Sequence, residues 1–195
     1  MVFALNVVAS VIVTLCWPVY LALFRNRVRQ HQETAARDRS STFGIGLQAI
    51  GVVLSWWPRT LFSPFISTFP LSVAAPVAAV LIAVGSVWLS HLALKTLGEQ
   101  WTFVAKVGND HRLVRHGLYG VVRHPLYLFF FGLTVATGMV WTTPMRLAIG
   151  MIVFVCGVWI RVHAEEQLLR ERFGSAFDDY VRQVPAFFPR LGLRA

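Results

Sequence analysis

The chain has 195 residues, of which 56% are hydrophobic, a mean hydropathy of +0.60 and a formal net charge of +9. A soluble domain of this size has too little interior to hide that much apolar surface, so lipid must solvate part of it. An ordinary soluble enzyme is therefore excluded, and a soluble Rossmann-type domain is excluded by length as well as by its missing glycine fingerprint.

A membrane-spanning helix needs roughly 20 apolar residues. Residues 2–24 meet that length without a charge. Arginines follow them and no small-residue cleavage site is present, which predicts a retained anchor rather than a signal peptide. Residues 25–42 form a polar loop, with 30–39 suited to a short surface helix. The second candidate span is 43–61, with Trp56-Trp57-Pro58 as an interfacial belt near one end. Its Gly44-Ile45-Gly46 follows no strand and has no third glycine, so it is not a dinucleotide motif. Residues 71–94 form the third span. The polar insert at 95–124 carries Gly98, Gly108, Gly117 and Gly120 and is expected to be a loop.

Residues 126–141 and 145–160 are short apolar segments joined by Thr142-Thr143-Pro144, a tight-turn composition. Pro125 suits the first position of the fourth helix, and His124 before it is biased to extended backbone. Residues 161–173 have helical character, with Leu168, Leu169 and Phe173 on one stripe and Gly174 as a stop. A short amphipathic piece at 177–184 ends at Pro185. The predicted fold is all-α and integral to the membrane: one domain over 1–195, about five transmembrane helices, a polar insert and a C-terminal amphipathic helix.

With five spans, every Lys and Arg except Arg59 and Arg146 falls on one side, as do all nine acidic residues. The positive-inside bias then puts the N-terminus outside, and the insert and C-terminus in the cytoplasm. The net charge reflects this topology and attraction to anionic headgroups. Nucleic-acid binding is not expected, because the basic residues are split among three membrane-flanking segments. Cys16 and Cys156 fall inside spans without metal or disulfide spacing and are expected to pack.

Arg161 and Glu165 are four apart and share a helix face, either as a routine ion pair or as functional groups. Their place at the inner end of a span, where ionisable groups are costly, favours function. Glu166 points elsewhere on the helix and is expected to be solvated. His124 has the alternative of a capping role at a helix start. His111, His116, His124 and His163 lack tight ligand spacing, so no metal site is expected.

Taken in order, the motifs are His111-Arg112-Leu113-Val114, Gly117-Leu118-Tyr119, Arg123-His124-Pro125-Leu126-Tyr127, Arg161-x-x-x-Glu165-Glu166, Phe173-Gly174, and Tyr180 before Pro185. In this order and spacing, over about residues 97–189, they resemble the isoprenylcysteine carboxyl methyltransferase family, which belongs with the membrane phospholipid methyltransferases. The resemblance implies that S-adenosylmethionine binds in the insert at the cytoplasmic face. Its lining would be Lys106, His111, Arg112, Leu113, Val114, Tyr119, Arg123, His124, Pro125, Leu126, Tyr127 and Glu165. Glu165 and Arg161 would carry the chemistry, with Arg161 holding the carboxylate of a lipophilic or lipidated acceptor that enters sideways from the bilayer. Tyr119 and Tyr127 would offer flat faces to adenine or to the sulfonium. Methylation of a phospholipid amine or a thiol is an alternative. Sterol-type NADPH-dependent reductases share the C-terminal pattern, and a non-catalytic membrane adaptor is a third reading. No heptads are present, so no particular oligomeric state is predicted.

Overall fold

The computed structural model describes residues 1–30, 39–58, 70–98 and 113–189. These are helical throughout apart from short connections: α1 (Val2–Gln30), α2 (Arg39–Ser55), α3 (Leu71–Leu97), α4 (Pro125–Trp141), α5 (Pro144–Phe173) and α6 (Ser175–Gln183), with a 3-10 turn at Gly117–Gly120. An apolar helix lies at each of the five expected places, although the second ends at Ser55, before Trp56-Trp57-Pro58, and not at residue 61. Helices α1, α3 and α5 are long and apolar enough to cross a membrane, whereas Ser41–Ser55 and Pro125–Trp141 are apolar but shorter.

One boundary differs in a way that matters. The expected span at 145–160 and the helical stretch at 161–173 form a single 30-residue rod. No glycine or proline lies between Gly157 and Gly174 to interrupt the ladder. At 1.5 Å per residue the rod is about 45 Å long. It therefore carries Arg161, Glu165 and Glu166 in fixed register beyond the apolar section. Gly174, with φ of 51°, ends it in the left-handed region that glycine adopts without strain. α6 then folds back, and its buried Phe177 and Tyr180 pack with Leu169 and Phe173 of α5.

Between helices in lipid the hydrophobic effect drives little, so close approach and satisfied polar groups decide packing. α3 buries a row of small residues, including Ala75, Ala79, Ala83, Ser86, Ser90 and Ala93. Ala79 and Ala83 join Val13 and Tyr20 of α1 and Leu133 and Val140 of α4 in one core. The indole of Trp17 donates to Thr137 Oγ1 at 2.8 Å, and that of Trp141 to Thr14 Oγ1 at 3.1 Å. Each pair satisfies an N–H that lipid would leave bare. Trp56 turns inward, its ring 5.7 Å from Trp141 and 5.9 Å from Trp17. Only Trp57 fits the interfacial role, exposed and with the Arg146 guanidinium 5.7 Å from its ring. Cys16 packs in the core as expected. Cys156 lies exposed on α5, so the packing role does not extend to it.

The closest seam joins α2 to α5 and is built on glycines. A Cβ on Gly157 would lie 2.6 Å from the Gly44 carbonyl, and one on Gly51 would lie 2.7 Å from the Gly150 carbonyl. The two helices are antiparallel, and each contributes a glycine pair seven residues apart. Gly44 thus has a packing role that its sequence neighbourhood did not suggest. Nothing lies within 4 Å of a Cβ on Gly46.

Candidate functional site

The α4–α5 hairpin brings the two polar motifs to one end of the bundle. Thr142 and Thr143 make the turn, and Pro144 opens α5 at its first turn. Antiparallel packing then sets the start of α4 beside the polar end of α5, as the sequence reading requires.

Glu166 is the hub. Its Oε1 accepts from Arg123 Nε at 3.0 Å, from Arg123 Nη2 at 2.8 Å and from His124 Nε2 at 2.8 Å. The expectation that Glu166 is solvated is overturned, because one further step around the helix from Glu165 faces the start of α4 and not water. A carboxylate only accepts, so Nε2 of His124 must carry the proton. The ring's other nitrogen, Nδ1, then faces Glu165 Oε2, 4.0 Å away.

His124 is the residue before α4, yet it makes no side-chain cap. Its backbone, at φ −123° and ψ 57°, is not in the expected extended basin. Its carbonyl instead turns in to accept from Leu128 N at 3.3 Å, opening the helix. Its own N–H donates to the Ala186 carbonyl at 3.0 Å, and Arg123 N donates to the Pro185 carbonyl at 2.9 Å. The guanidinium of Arg123 also donates to the Val181 and Val184 carbonyls. The segment after α6 is therefore strapped onto the Arg123-His124 pair, and Phe187 places its ring 5.8 Å from that of His124.

Glu165 has a different environment. Tyr127 donates its hydroxyl to Glu165 Oε2 at 3.1 Å. The Glu165 side chain is 38% exposed, against 18% for Glu166 and 4% for His124, so Glu165 is the carboxylate open to a ligand. The Arg161 guanidinium lies 5.4 Å from the centre of the Tyr127 ring. That contact takes one face of Tyr127, which the sequence reading had offered to the cofactor. The Tyr119 ring is likewise committed, buried with Ala93 and Phe129.

Of the other expected residues, Pro125 is fully buried at the start of α4. Leu126 and Val114 pack around the Ala93–Tyr119–Phe129 cluster, and Leu113 packs on Phe177, Tyr180 and Val184. Lys106, His111 and Arg112 lie outside the described residues. Arg123, His124, Tyr127, Arg161 and Glu165 do converge. Glu166 is the residue that sequence reasoning missed. Its signal was the adjacent position in an acidic pair, where i and i+1 project about 100° apart and so reach different partners.

Tyr180 ties α6 to this end of the bundle by donating its hydroxyl to the Tyr119 carbonyl at 2.6 Å. Burial pushes the Tyr180 phenol up to about 12, although nearby Arg123 and Arg115 pull it down. The folded value lies above the free one, so this contribution is complete below about pH 10 and is lost as pH rises from there toward 12. Tyr180→Phe is expected to lower stability by about 1 kcal/mol at pH 8. Unfolding scans at pH 8 and pH 11 should show the gap to the parent protein narrowing at the higher pH.

The family model for the isoprenylcysteine carboxyl methyltransferases matches residues 64–171, more than half of the chain, including all of α4 and all but the last two residues of α5. The chain belongs to this family. Among similar proteins, the nickel-cobalt-cadmium resistance protein NccN of Alcaligenes xylosoxydans xylosoxydans is 34% identical over 118 residues, covering 60% of this chain and 54% of the relative. Protein-S-isoprenylcysteine O-methyltransferase B of Arabidopsis thaliana is 30% identical over 145 residues, covering 71% of this chain and 63% of the relative. The Saccharomyces cerevisiae protein-S-isoprenylcysteine O-methyltransferase is 28% identical over 179 residues, covering 87% and 72%. The chain thus spans little more than half the length of some curated relatives that it matches. A solved structure of the eukaryotic intramembrane Ras methyltransferase ICMT superposes with a TM-score of 0.60 at 21% identity, covering 91% of this chain and 63% of that one. The membrane fold is therefore shared.

Proposed function

We propose that the protein is an integral membrane methyltransferase that uses S-adenosylmethionine to methylate the carboxylate of a lipophilic acceptor of the S-isoprenylcysteine type. The observation that carries this reading is the convergence of Arg123, His124 and Tyr127 with Arg161, Glu165 and Glu166 at one end of the α4–α5 hairpin. Family membership supports it. The charge distribution supports placing this end in the cytoplasm, with the N-terminus outside.

The residues present suit such a cofactor. Its amino-acid head and ribose need a carboxylate acceptor, and Glu165 is exposed while pinned by Tyr127. When bound, S-adenosylmethionine supplies an electrophilic methyl group on a sulfonium that leaves as a neutral thioether. The protein then has little acid–base work to do, because the acceptor carboxylate is already ionised at neutral pH. Arg161 holds that carboxylate through its planar fork, in a site where low dielectric strengthens the contact. Tyr127 keeps Glu165 in position through its hydroxyl, while Glu166 locks the neighbouring His124 ring. Phe187 and the strap over Arg123-His124 exclude water from the buried side. Alignment of two reactants in a dry site is the main catalytic contribution available to such an arrangement.

Arg161→Ala is expected to leave affinity for S-adenosylhomocysteine unchanged. Methyl transfer to N-acetyl-S-farnesylcysteine should fall by about 100-fold or more, the size of a lost charge-assisted contact. Glu165→Ala and His124→Ala are expected to lose cofactor affinity instead. Calorimetry of the detergent-solubilised protein with S-adenosylhomocysteine and with NADPH tests the reading at its root. Binding of NADPH but not S-adenosylhomocysteine would refute it in favour of a reductase, and binding of neither would favour an adaptor.

A further inference from the structure

Between Phe43 and Leu54 of α2, Gln48 is the one side chain able to form hydrogen bonds. It sits in the middle of an apolar helix and is only 4% exposed. Among the described residues its Nε2 is buried with no hydrogen-bond partner. An amide is expensive to leave in that state inside an apolar bundle, since the group forfeits its hydration and gains nothing in return. A packing role would normally give the amide a carbonyl or hydroxyl on the facing helix.

The glycine seam shows where this side chain lies. A Cβ on Gly157 would be 3.0 Å from Gln48 Cγ, so the Gln48 side chain lies across Gly157 of α5. Gly157 and Arg161 share one face of α5, a single turn apart. Gly44, one turn before Gln48 on α2, is the residue that abuts the stem of Arg161, where a Cβ would meet Cγ at 2.6 Å. Gln48 is thus the next polar side chain along the seam from Arg161, one turn further into the apolar layer.

We propose that Gln48 is an acceptor-binding residue, whose amide donates a hydrogen bond to an oxygen of the acceptor's polar head while Arg161 holds the carboxylate. This rests on the methyltransferase reading above. The donor serves either the second oxygen of that carboxylate or the neighbouring amide carbonyl, which have the same accepting chemistry. Because Gln48 lies in the apolar stretch of α2 against Gly157, about two helical turns from Glu165 along α5, it acts on the acceptor and not on the cofactor.

The test is Gln48→Met in the full chain, which keeps volume and removes the donors. Its KM for N-acetyl-S-farnesylcysteine is expected to rise roughly tenfold or more, as for a lost hydrogen bond to a polar or charged oxygen. Affinity for S-adenosylhomocysteine should be unchanged. The unfolding temperature of the ligand-free protein should hold or rise, because an unpaired buried donor has been removed. Gln48→Asn, which keeps the amide one methylene shorter, should fall between Met and the parent. Repeating the assay with S-farnesylthiopropionic acid, which has the carboxylate but no amide, locates the bond. A rise in KM with both probes assigns the carboxylate, and a rise with the amide-bearing probe alone assigns the carbonyl. An unchanged KM with both overturns the inference, as does a drop in unfolding temperature accompanied by equal loss of cofactor affinity. If the parent protein methylates neither probe while binding S-adenosylhomocysteine, the carboxylate-acceptor reading fails, and this inference with it.

Discussion

Replacing Glu166 with alanine is expected to destabilise the protein by about 3 kcal/mol, the scale of breaking a largely buried ion pair by removing one partner. The Arg123 side chain is 10% exposed and its guanidinium directs two donors at one carboxylate oxygen. Without that oxygen a desolvated cation remains at the start of α4. His124 loses the acceptor of its Nε2 proton. The damage should spread to the strap, since Arg123 and His124 also hold the Pro185 and Ala186 carbonyls through their backbone N–H groups. Binding of S-adenosylhomocysteine should disappear with the local structure. Glu166→Gln should be milder, because the amide oxygen still accepts although the charge is gone. Glu165→Ala supplies the contrast: its exposed carboxylate should cost little stability, yet cofactor affinity should fall. Thermal unfolding and calorimetry on all three variants check this. An E166A protein as stable as its parent would show that the hub carries no structural load.

That contrast also marks where the sequence was readable. The apolar spans were visible because lipid demands long uncharged runs, and the hairpin followed from a Thr-Thr-Pro turn between two of them. Pro125 at a helix start and Gly174 at a helix stop were legible because each residue has a single favourable use at such a place. The convergence of Arg123, His124 and Tyr127 with Arg161 and Glu165 then required only that two consecutive helices be antiparallel. What escaped were directions around a helix. Glu165 and Glu166 are indistinguishable by composition, yet about 100° of rotation separates the more exposed carboxylate from the one locked against Arg123 and His124. Tyr119 and Tyr127 lie at the same end of the bundle as Glu165. Their ring faces were taken by Ala93 and Phe129 in one case and by Arg161 in the other, partners far away in sequence. The roles of Gly44 and Gly157 were hidden for the same reason, because a glycine's use in packing depends on which helix faces it.

The glycine seam sets the second large effect. Gly157→Val is expected to cost about 3 kcal/mol or more, at the upper end of overpacking, because the atoms it would strike are backbone. Its Cβ would lie 2.6 Å from the Gly44 carbonyl and 2.9 Å from Gln48 N, so neither contact can be relieved by a rotamer change. The helices must separate, and with them the alignment of α2 against Arg161. Gly46→Ala and Gly85→Ala are matched controls on the same kind of helix, with open space where the new methyl goes. Removing a flexible glycine there should be neutral or stabilising, by up to about 1 kcal/mol. Gly44→Ala is the informative intermediate: its methyl meets Arg161 Cγ at 2.6 Å and the Gly157 carbonyl at 2.8 Å. On the proposed function, acceptor turnover should therefore fall further than its loss of stability explains, while affinity for S-adenosylhomocysteine should persist. Unfolding temperatures in detergent, read beside methyl-transfer rates, separate these cases. A Gly157→Val protein that unfolds with the Gly46→Ala control would mean that α2 and α5 do not meet along this seam.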